Sequence, residues 1–350
     1  PLDAQVCRLG HVLHDRPRPV VRSRRGVAAV VDMRLSRAAW SGAVSIALIG
    51  TAAASLAALL APLGWPFELF AHFRWQLVAA ALALLLASLV LRRPWMMVVA
   101  CITILLQWLP GALMSGRASA HESTALTCRD DPLRVVTANA WFANADHVAL
   151  VAWLSRSDAD IIALQEITPQ WALALEPLAR TYPYRKVMPR EDPYGIALLS
   201  RWPIDAVQSM DFAGDGLPSL VANLDVHGRK LQVIALHTRW PVLPELQVAR
   251  DRALQQAAAL ALTQPEATIL LGDLNLTPYA PAFARLVAES GLRDAFAGEA
   301  WRPTWQAGFW PLALPIDHVL VPRRGCITGH EIGPDVGSDH RPLQVTLRLP

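Results

Sequence analysis

The chain has 350 residues, 53% of them hydrophobic and 17% charged, with a formal net charge of +3. A mean hydropathy above zero argues against a wholly water-soluble protein, and 32 basic plus 29 acidic residues argue against a bare membrane bundle. Two parts are implied, one apolar and one polar.

Residues 1–37 are a basic arm carrying Arg16, Arg18, Arg22, Arg24, Arg25, Arg34 and Arg37. Residues 1–32 show no apolar period and read as disordered or foreign sequence. Met33-Arg34-Leu35-Ser36-Arg37 has the form of a natural beginning. Uncharged stretches follow at 38–67, 75–91 and 94–116. Each is long enough to cross about 30 Å of hydrocarbon as a helix, the second at the short limit, so 38–116 is expected to be a region of three transmembrane helices. A cleaved secretory signal would have a shorter apolar core and no spans after it. The arginines before the first span and Arg92-Arg93 after the second place both segments in the cytoplasm. The 63–74 loop and everything after 116 then face outward, with Arg74 and Arg117 opposing weakly.

The polar stretch 117–132 reads as a linker that keeps the following domain close to the bilayer. Residues 1–117 hold 12 Arg against 4 acidic residues, whereas 118–350 hold 20 basic against 25 acidic residues, a net −5. The outward part therefore lacks the positive footprint that phosphate-backbone binding normally needs, which counts against long nucleic acid as a partner. Cys7 lies in the arm and Cys101 in the third span. Cys128 and Cys326 fall in the outward part, where an oxidising compartment permits a bridge between them, the alternative being two free thiols.

From residue 133 the pattern alternates. Runs at 133–138, 159–164, 195–200, 219–226, 230–236, 267–271, 316–321 and 341–348 read as strands, and 146–155, 169–180, 244–263 and 279–289 as helices. Strands without helices over 195–236 indicate antiparallel hairpins, so the class is α+β or α/β with two layers of sheet. Residues 133–350 are enough for one domain with its own core.

Five segments put a carboxylate, amide or imidazole where a strand ends. They are Val135-Val136-Thr137-Ala138-Asn139, Leu164-Gln165-Glu166, Ala235-Leu236-His237-Thr238, Gly272-Asp273-Leu274-Asn275, and the closing pair Ile316-Asp317-His318 with Ser338-Asp339-His340. Singly, Asn139 reads as a helix cap, Glu166 as a carboxylate answering a helix dipole and Asp273-Leu274-Asn275 as turn chemistry. Together, in one order, they describe one site. A hard divalent cation such as Mg2+ takes oxygen ligands, one or two carboxylates plus a substrate phosphate oxygen, and Asn139 and Glu166 suit it. Zinc is disfavoured because the histidines are scattered, with no i, i+4 pair on a helix. Attack on phosphorus needs an oriented water and donors for the charge on the equatorial oxygens. Asp317 holding one nitrogen of His340 would leave the other facing a phosphate, with Asp273, Asn275 and His237 in reach of the same pocket. His121, His147, His227, His318 and His330 read as surface or packing residues. The aromatic stretch 301–312 should lie at the pocket rim, either as packing under a long loop or as a lipid-facing or substrate-gripping element.

These segments, together with Gly195-Ile196-Ala197-Leu198-Leu199-Ser200-Arg201, resemble the endonuclease/exonuclease/phosphatase superfamily over residues 133–350. The apolar part, with Leu63-Gly64-Trp65 and His72-Phe73-Arg74 in its loop, resembles bacterial membrane-anchored members, the VanJ-like and YafD-like proteins. The resemblance implies an α+β fold, a four-layer two-sheet sandwich flanked by helices, with Mg2+ or Mn2+ as cofactor. It also implies metal binding by Asn139 and Glu166, with Asp339 as a further ligand directly or through water. Asp273 would position the attacking water or assist the leaving oxygen, and Asn275 and His237 would stabilise the transition state. His340, oriented by Asp317, would contact the scissile phosphate or act as base, the choice between Asp273 and His340 as proton acceptor staying open.

The expectation is a multi-pass protein of the bacterial cytoplasmic membrane with an outward-facing metal-dependent phosphoesterase domain. Its partners would be the lipid bilayer and a membrane-proximal phosphate ester of the cell envelope, a lipid phosphate or lipid-linked pyrophosphate. The alternatives are a membrane-tethered nuclease, for which Arg185, Lys186, Arg190, Arg323 and Arg324 could rebuild a local basic groove, and a non-catalytic membrane binding module. No oligomeric state is implied.

Overall fold

The structure, a computed structural model, describes residues 24–118, 131–299, 301–306 and 308–350. Helix α1 (Arg24–Leu59) begins inside the basic arm, so residues 24–32 are helical where disorder was expected; residues 1–23 of the arm lie outside the described residues. α1 also stops short of residue 67. Pro62 enters a 3-10 turn there and Gly64 turns back with φ +85°, because proline lacks the N–H and clashes with a preceding helical turn. A short helix α2 (Phe67–His72) leads into α3 (Arg74–Leu91), and Arg92, in the left-handed region, ends α3 before α4 (Pro94–Ala118) starts on its proline. Ser36–Leu59 and Arg74–Leu91 are long and apolar enough to cross a membrane, whereas the apolar part of α4, Pro94–Trp108, is shorter. The three long helices pack through Val44, Leu48, Met96 and Ala100 and leave Ile46, Ile49, Leu86, Val90 and Leu105 exposed.

The second part runs β1 (Leu133–Asn139), α5 (Val148–Arg156), β2 (Ile161–Gln165), α6 (Pro169–Ala174), β3 (Tyr184–Met188), β4 (Ile196–Ser200), β5 (Ile204–Met210), β6 (Ser219–Val226), β7 (Arg229–His237), α7 (Pro244–Leu262), β8 (Thr268–Asp273), α8 (Pro281–Ser290), β9 (Leu292–Asp294), β10 (Asp317–Pro322), β11 (Cys326–Ile332) and β12 (Leu343–Arg348). The strands form two six-stranded sheets, β11-β12-β1-β2-β4-β3 and β5-β6-β7-β8-β10-β9. In each sheet one central pair is parallel, β1 with β2 and β7 with β8, and the other pairs are antiparallel. The expected helix 169–180 is split: α6 ends at Ala174, and Pro177 opens a separate 3-10 turn, Glu176–Arg180.

Successive side chains of a strand point to opposite faces, so the unbroken apolar runs of β2, β4, β8 and β10 bury both faces. One face fills the space between the sheets, with Val135, Ile161 and Leu198 meeting Ala222, Val233 and Leu271. The outer face of the first sheet packs α5 and α6 through Leu150, Leu154 and Trp171. That of the second packs α7 and α8 through Leu254, Ala258 and Phe283. The result is an α+β sandwich of four layers. Cys326 is disulfide-bonded; Cys128, the partner expected from the sequence, lies outside the described residues, and Cys101 is a free thiol.

Candidate active site

Strand register gathers the site. In the first sheet Asn139 at the end of β1 lies opposite Gln165 at the end of β2, which delivers Glu166 one residue later. In the second, His237 ends β7 opposite Asp273 at the end of β8, and Asp317 opens the antiparallel β10 opposite the same Asp273. Parallel neighbours stop at one edge, so both sheets present their polar ends together. Two backbone positions are special here. Gly272 has φ +143°, and a Cβ there would sit 1.9 Å from the Leu236 carbonyl oxygen, so only glycine allows Asp273 to follow so closely. Glu166 itself is held at φ +62°, an unfavourable conformation that active sites often retain.

The side chains join the two sheets. Asn139 Nδ2 donates to Glu166 Oε1 at 2.8 Å and to Asp273 Oδ2 at 3.0 Å, while its Oδ1 accepts from the Trp141 N–H. Glu166 Oε2 accepts from the Phe142 N–H at 2.8 Å. His340 Nδ1 lies 2.8 Å from Asp317 Oδ2, and Asp273 Oδ2 lies 3.7 Å from His340 Nε2 and 3.6 Å from His237 Nε2. Ser338 Oγ donates to the Asn139 carbonyl and accepts from the His340 N–H, tying the last loop to β1. Asn139, His237, Asp273, Asp317 and His340 are all buried.

Burial makes these charges interact strongly. Burial and then the neighbouring Asp317 carboxylate raise Asp273 to about 7, against the opposing effect of His340. Burial alone would push the His340 imidazolium down. The charge and hydrogen bond of Asp317, with Asp273 and Asp339, more than offset it and hold His340 at about 10. Burial lowers His237, with Glu166 opposing.

The structure brings together Asn139, Glu166, His237, Asp273, Asp317 and His340. Asn275, at φ +46°, is turned to the backbone: its Nδ2 donates to the Thr238 carbonyl and its N–H to Asp273 Oδ1. Asp339 stands to one side, with Oδ2 accepting from Trp305 Nε1 at 3.0 Å. Ligand atoms of Glu166, His237 and Asp273 lie within 4.8 Å of one another, as do those of Asp273, Asp317 and His340. Asp317 Oδ1 and Asp339 Oδ1 are buried without a hydrogen-bond partner. Converging carboxylates with oxygens to spare fit a hard divalent cation.

Two neighbours escaped the sequence reading. The Tyr194 ring lies 5.1 Å from that of His237, and the Arg239 guanidinium sits 4.7 Å over Tyr194 while pairing with Asp215. Their only sequence signals are adjacency, Tyr194 to the Gly195 run and Arg239 to His237. His318 is a packing residue, as expected: its Nε2 meets the Leu276 carbonyl and its Nδ1 meets the buried Arg302, itself paired with Asp294.

No curated protein matches this sequence. Among solved structures, humanized D. rerio TDP2 with 14 mutations is 18% identical with a TM-score of 0.51, over 62% of this chain and 98% of that one. An endonuclease/exonuclease/phosphatase family protein from Bacteroides thetaiotaomicron is 16% identical with a TM-score of 0.51, over 63% and 98%. An endonuclease/exonuclease/phosphatase from Beutenbergia cavernae DSM 12333 is 22% identical with a TM-score of 0.50, over 63% and 72%. At these identities they speak for the fold. Residues 136–340 match the model of the endonuclease/exonuclease/phosphatase family, a span that starts in β1 and closes on His340. The chain therefore belongs to that family, the metal-dependent hydrolases of phosphoric ester bonds.

Proposed function

We propose that this protein is a membrane-anchored phosphoesterase that hydrolyses a membrane-proximal phosphate ester, a lipid phosphate or lipid-linked pyrophosphate, on the outer face of the cytoplasmic membrane. The observation that carries the hydrolytic reading is the hydrogen-bonded array of Asn139, Glu166, Asp273, Asp317 and His340 at the meeting edges of the two sheets. The membrane half of the reading draws on two helices of spanning length and on the arginines around them. In this reading residues 38–116 anchor the chain and residues 133–350 are its catalytic domain.

Asn139 and Glu166 would hold Mg2+ or Mn2+, with Asp339, which stands to one side, reached through water. When bound, the ion supplies positive charge to the phosphate oxygens. His340, kept protonated through Asp317, donates from Nε2 to the phosphate. A protonated imidazole is no base, so Asp273, raised to about 7, is the group that takes the proton from the attacking water. Neutral His237 donates to the charge that builds on phosphorus-bound oxygens, and Asn275, whose N–H donates to Asp273 Oδ1, positions that carboxylate. The position of Asp273 between the two histidines, 3.6 Å from His237 Nε2 and 3.7 Å from His340 Nε2, supports its role as proton acceptor.

A nuclease is the second reading. D. rerio TDP2 has been solved with a single-strand DNA product, but the net −5 of residues 118–350 works against attraction of nucleic acid. The test uses the full chain in lipid nanodiscs with Mg2+ or Mn2+, and initial rates on a phosphomonoester, a phosphodiester, plasmid DNA and a polyprenyl pyrophosphate. Turnover of the lipid or small ester, lost in Asp273→Ala and His340→Ala, supports the phosphoesterase. Cleavage of DNA alone establishes the nuclease.

A further inference from the structure

The segment between α1 and α3, with the first turn of α3, grips the sandwich domain. Glu68 of α2 pairs with Arg250 of α7 at 2.5 Å, both side chains buried, and Gln247 Nε2 donates to the same carboxylate. His72 Nδ1 accepts from the N–H and Oγ1 of Thr277, Trp75 Nε1 donates to the Tyr279 hydroxyl at 2.8 Å, and Gln76 Nε2 donates to the Ala313 carbonyl at 2.8 Å. Trp65 Nε1 reaches the Val242 carbonyl at 3.3 Å. A buried ion pair in such a joint is held in one geometry, since parting it would strand a charge away from water. The anchors adjoin the site: Thr277 follows Asn275, Val242 follows His237, and Ala313 precedes Asp317.

Two of the gripped loops are apolar and open to solvent. Trp240 is 57% exposed, with Val242 and Leu243 beside it, and Phe309 and Trp310 are 55% and 49% exposed, with Leu312 next to them. They continue a set of tryptophans at one end of the helix bundle. Trp65 is exposed there, and Trp75 meets Trp108 edge-on at 5.9 Å under the Arg74 guanidinium. The other end carries exposed Trp40 and Trp95. From Trp40 to Leu59 the rise of α1 is about 28 Å, close to the hydrocarbon thickness of about 30 Å, and tryptophans gather at both faces of a bilayer.

We propose that the loops 240–243 and 309–312 are seated in the outer interface of the bilayer that the helices cross, so that the joint at α2 holds the catalytic cleft against the lipid headgroups. The proposal rests on the membrane reading above and narrows the substrate to an amphiphile whose phosphate lies at headgroup depth. The apolar loops enter the lipid, the cleft lip between them faces the headgroup layer, and a polymer in bulk water meets the cleft only from its membrane side.

The test measures depth without reference to activity. Leu243→Cys and Leu312→Cys are introduced separately into the full chain, in a Cys7→Ser, Cys101→Ser background that serves as the blank, with Asp205→Cys on the exposed β5 as control. Each is spin-labelled in nanodiscs and relaxed by oxygen or by a water-soluble nickel chelate. The proposal expects oxygen to dominate at 243 and 312 and nickel at 205. Nickel dominance at both loop positions overturns it, whatever the enzyme hydrolyses. A second arm pairs Trp240→Ser with Trp310→Ser: turnover of a lipid phosphate should fall at least tenfold while a short-chain soluble ester holds its rate, and equal losses on both would overturn the narrowing of the substrate. Absence of turnover on every phosphate ester counts against the proposed function alone, and the depth readings still decide the seating.

Discussion

Asp317→Asn is the substitution that reports most directly on the chemistry. Asp317 is 1% exposed, and its Oδ2 lies 2.8 Å from His340 Nδ1. Asparagine keeps the volume and an oxygen that accepts from Nδ1–H, but removes the charge. Burial already pushes the His340 imidazolium down, and Asp317 is foremost among the groups that hold it at about 10. Without that carboxylate the imidazolium titrates at lower pH, and the donor at Nε2 weakens. A hydrogen bond to a charged group contributes about 1.5–3 kcal/mol. At about 1.4 kcal/mol per tenfold in rate, kcat should drop about 10- to 150-fold with little change in KM. The assay is initial rates against pH on the full chain in nanodiscs at saturating metal. The alkaline limb of the profile should move to lower pH, because the protonated donor is lost sooner. A kcat near that of the wild type with an unmoved alkaline limb would refute the role of the pair.

Asp273→Asn should lower kcat by about 10²–10⁴-fold, the usual range for losing a general base, without lowering the thermal midpoint, since a costly buried carboxylate is gone; a loss of midpoint in step with activity would point to a structural role. In chelated protein, His340 has a folded pKa of about 10 against 6.5 unfolded, so its contribution to stability is complete below 6.5 and is lost as pH rises through 10. Urea midpoints should fall over that window in the wild type and fall less in Asp317→Asn. Glu68→Gln leaves Arg250 its hydrogen bonds to Asp251, so the expected cost is about 1.5–3 kcal/mol, read from denaturant unfolding in nanodiscs; an unchanged midpoint would show that the joint is not under tension with the fold. Gly272→Ala places a methyl 1.9 Å from the Leu236 carbonyl oxygen, and a loss of more than about 3 kcal/mol should remove most folded protein, checked by the yield of monodisperse chain.

Most of the fold is legible as pattern. Eight strands announce themselves as Val-, Ile- and Leu-rich runs because the central strands are buried on both faces. The four that were missed, β3, β5, β9 and β11, are the four edges of the two sheets. β5 and β11 are largely exposed and β9 has three residues, and an edge strand needs no apolar run and carries polar residues that discourage further pairing. The missed break in α1 and the split of 169–180 both fall at prolines, Pro62 and Pro177, whose local effect was outweighed by the surrounding apolar composition.

The sequence by itself determined that the chain has an apolar and a polar part, which buried segments are strands, and that the strand ends at Asn139, Glu166, His237, Asp273, Asp317 and His340 carry polar side chains. Those properties are local, since periodicity records which face of a segment meets apolar neighbours and a polar residue after such a run records where burial stops. Only the tertiary structure decided that Asn139 bridges Glu166 and Asp273 across the two sheets, that Tyr194 packs against His237 with Arg239 over the Tyr194 ring, and that Glu68 meets Arg250 at a separation of 182 residues. Such contacts depend on which surfaces come to face each other once both sheets and the helix bundle have closed, and a buried ion pair between distant segments leaves no period in either of them.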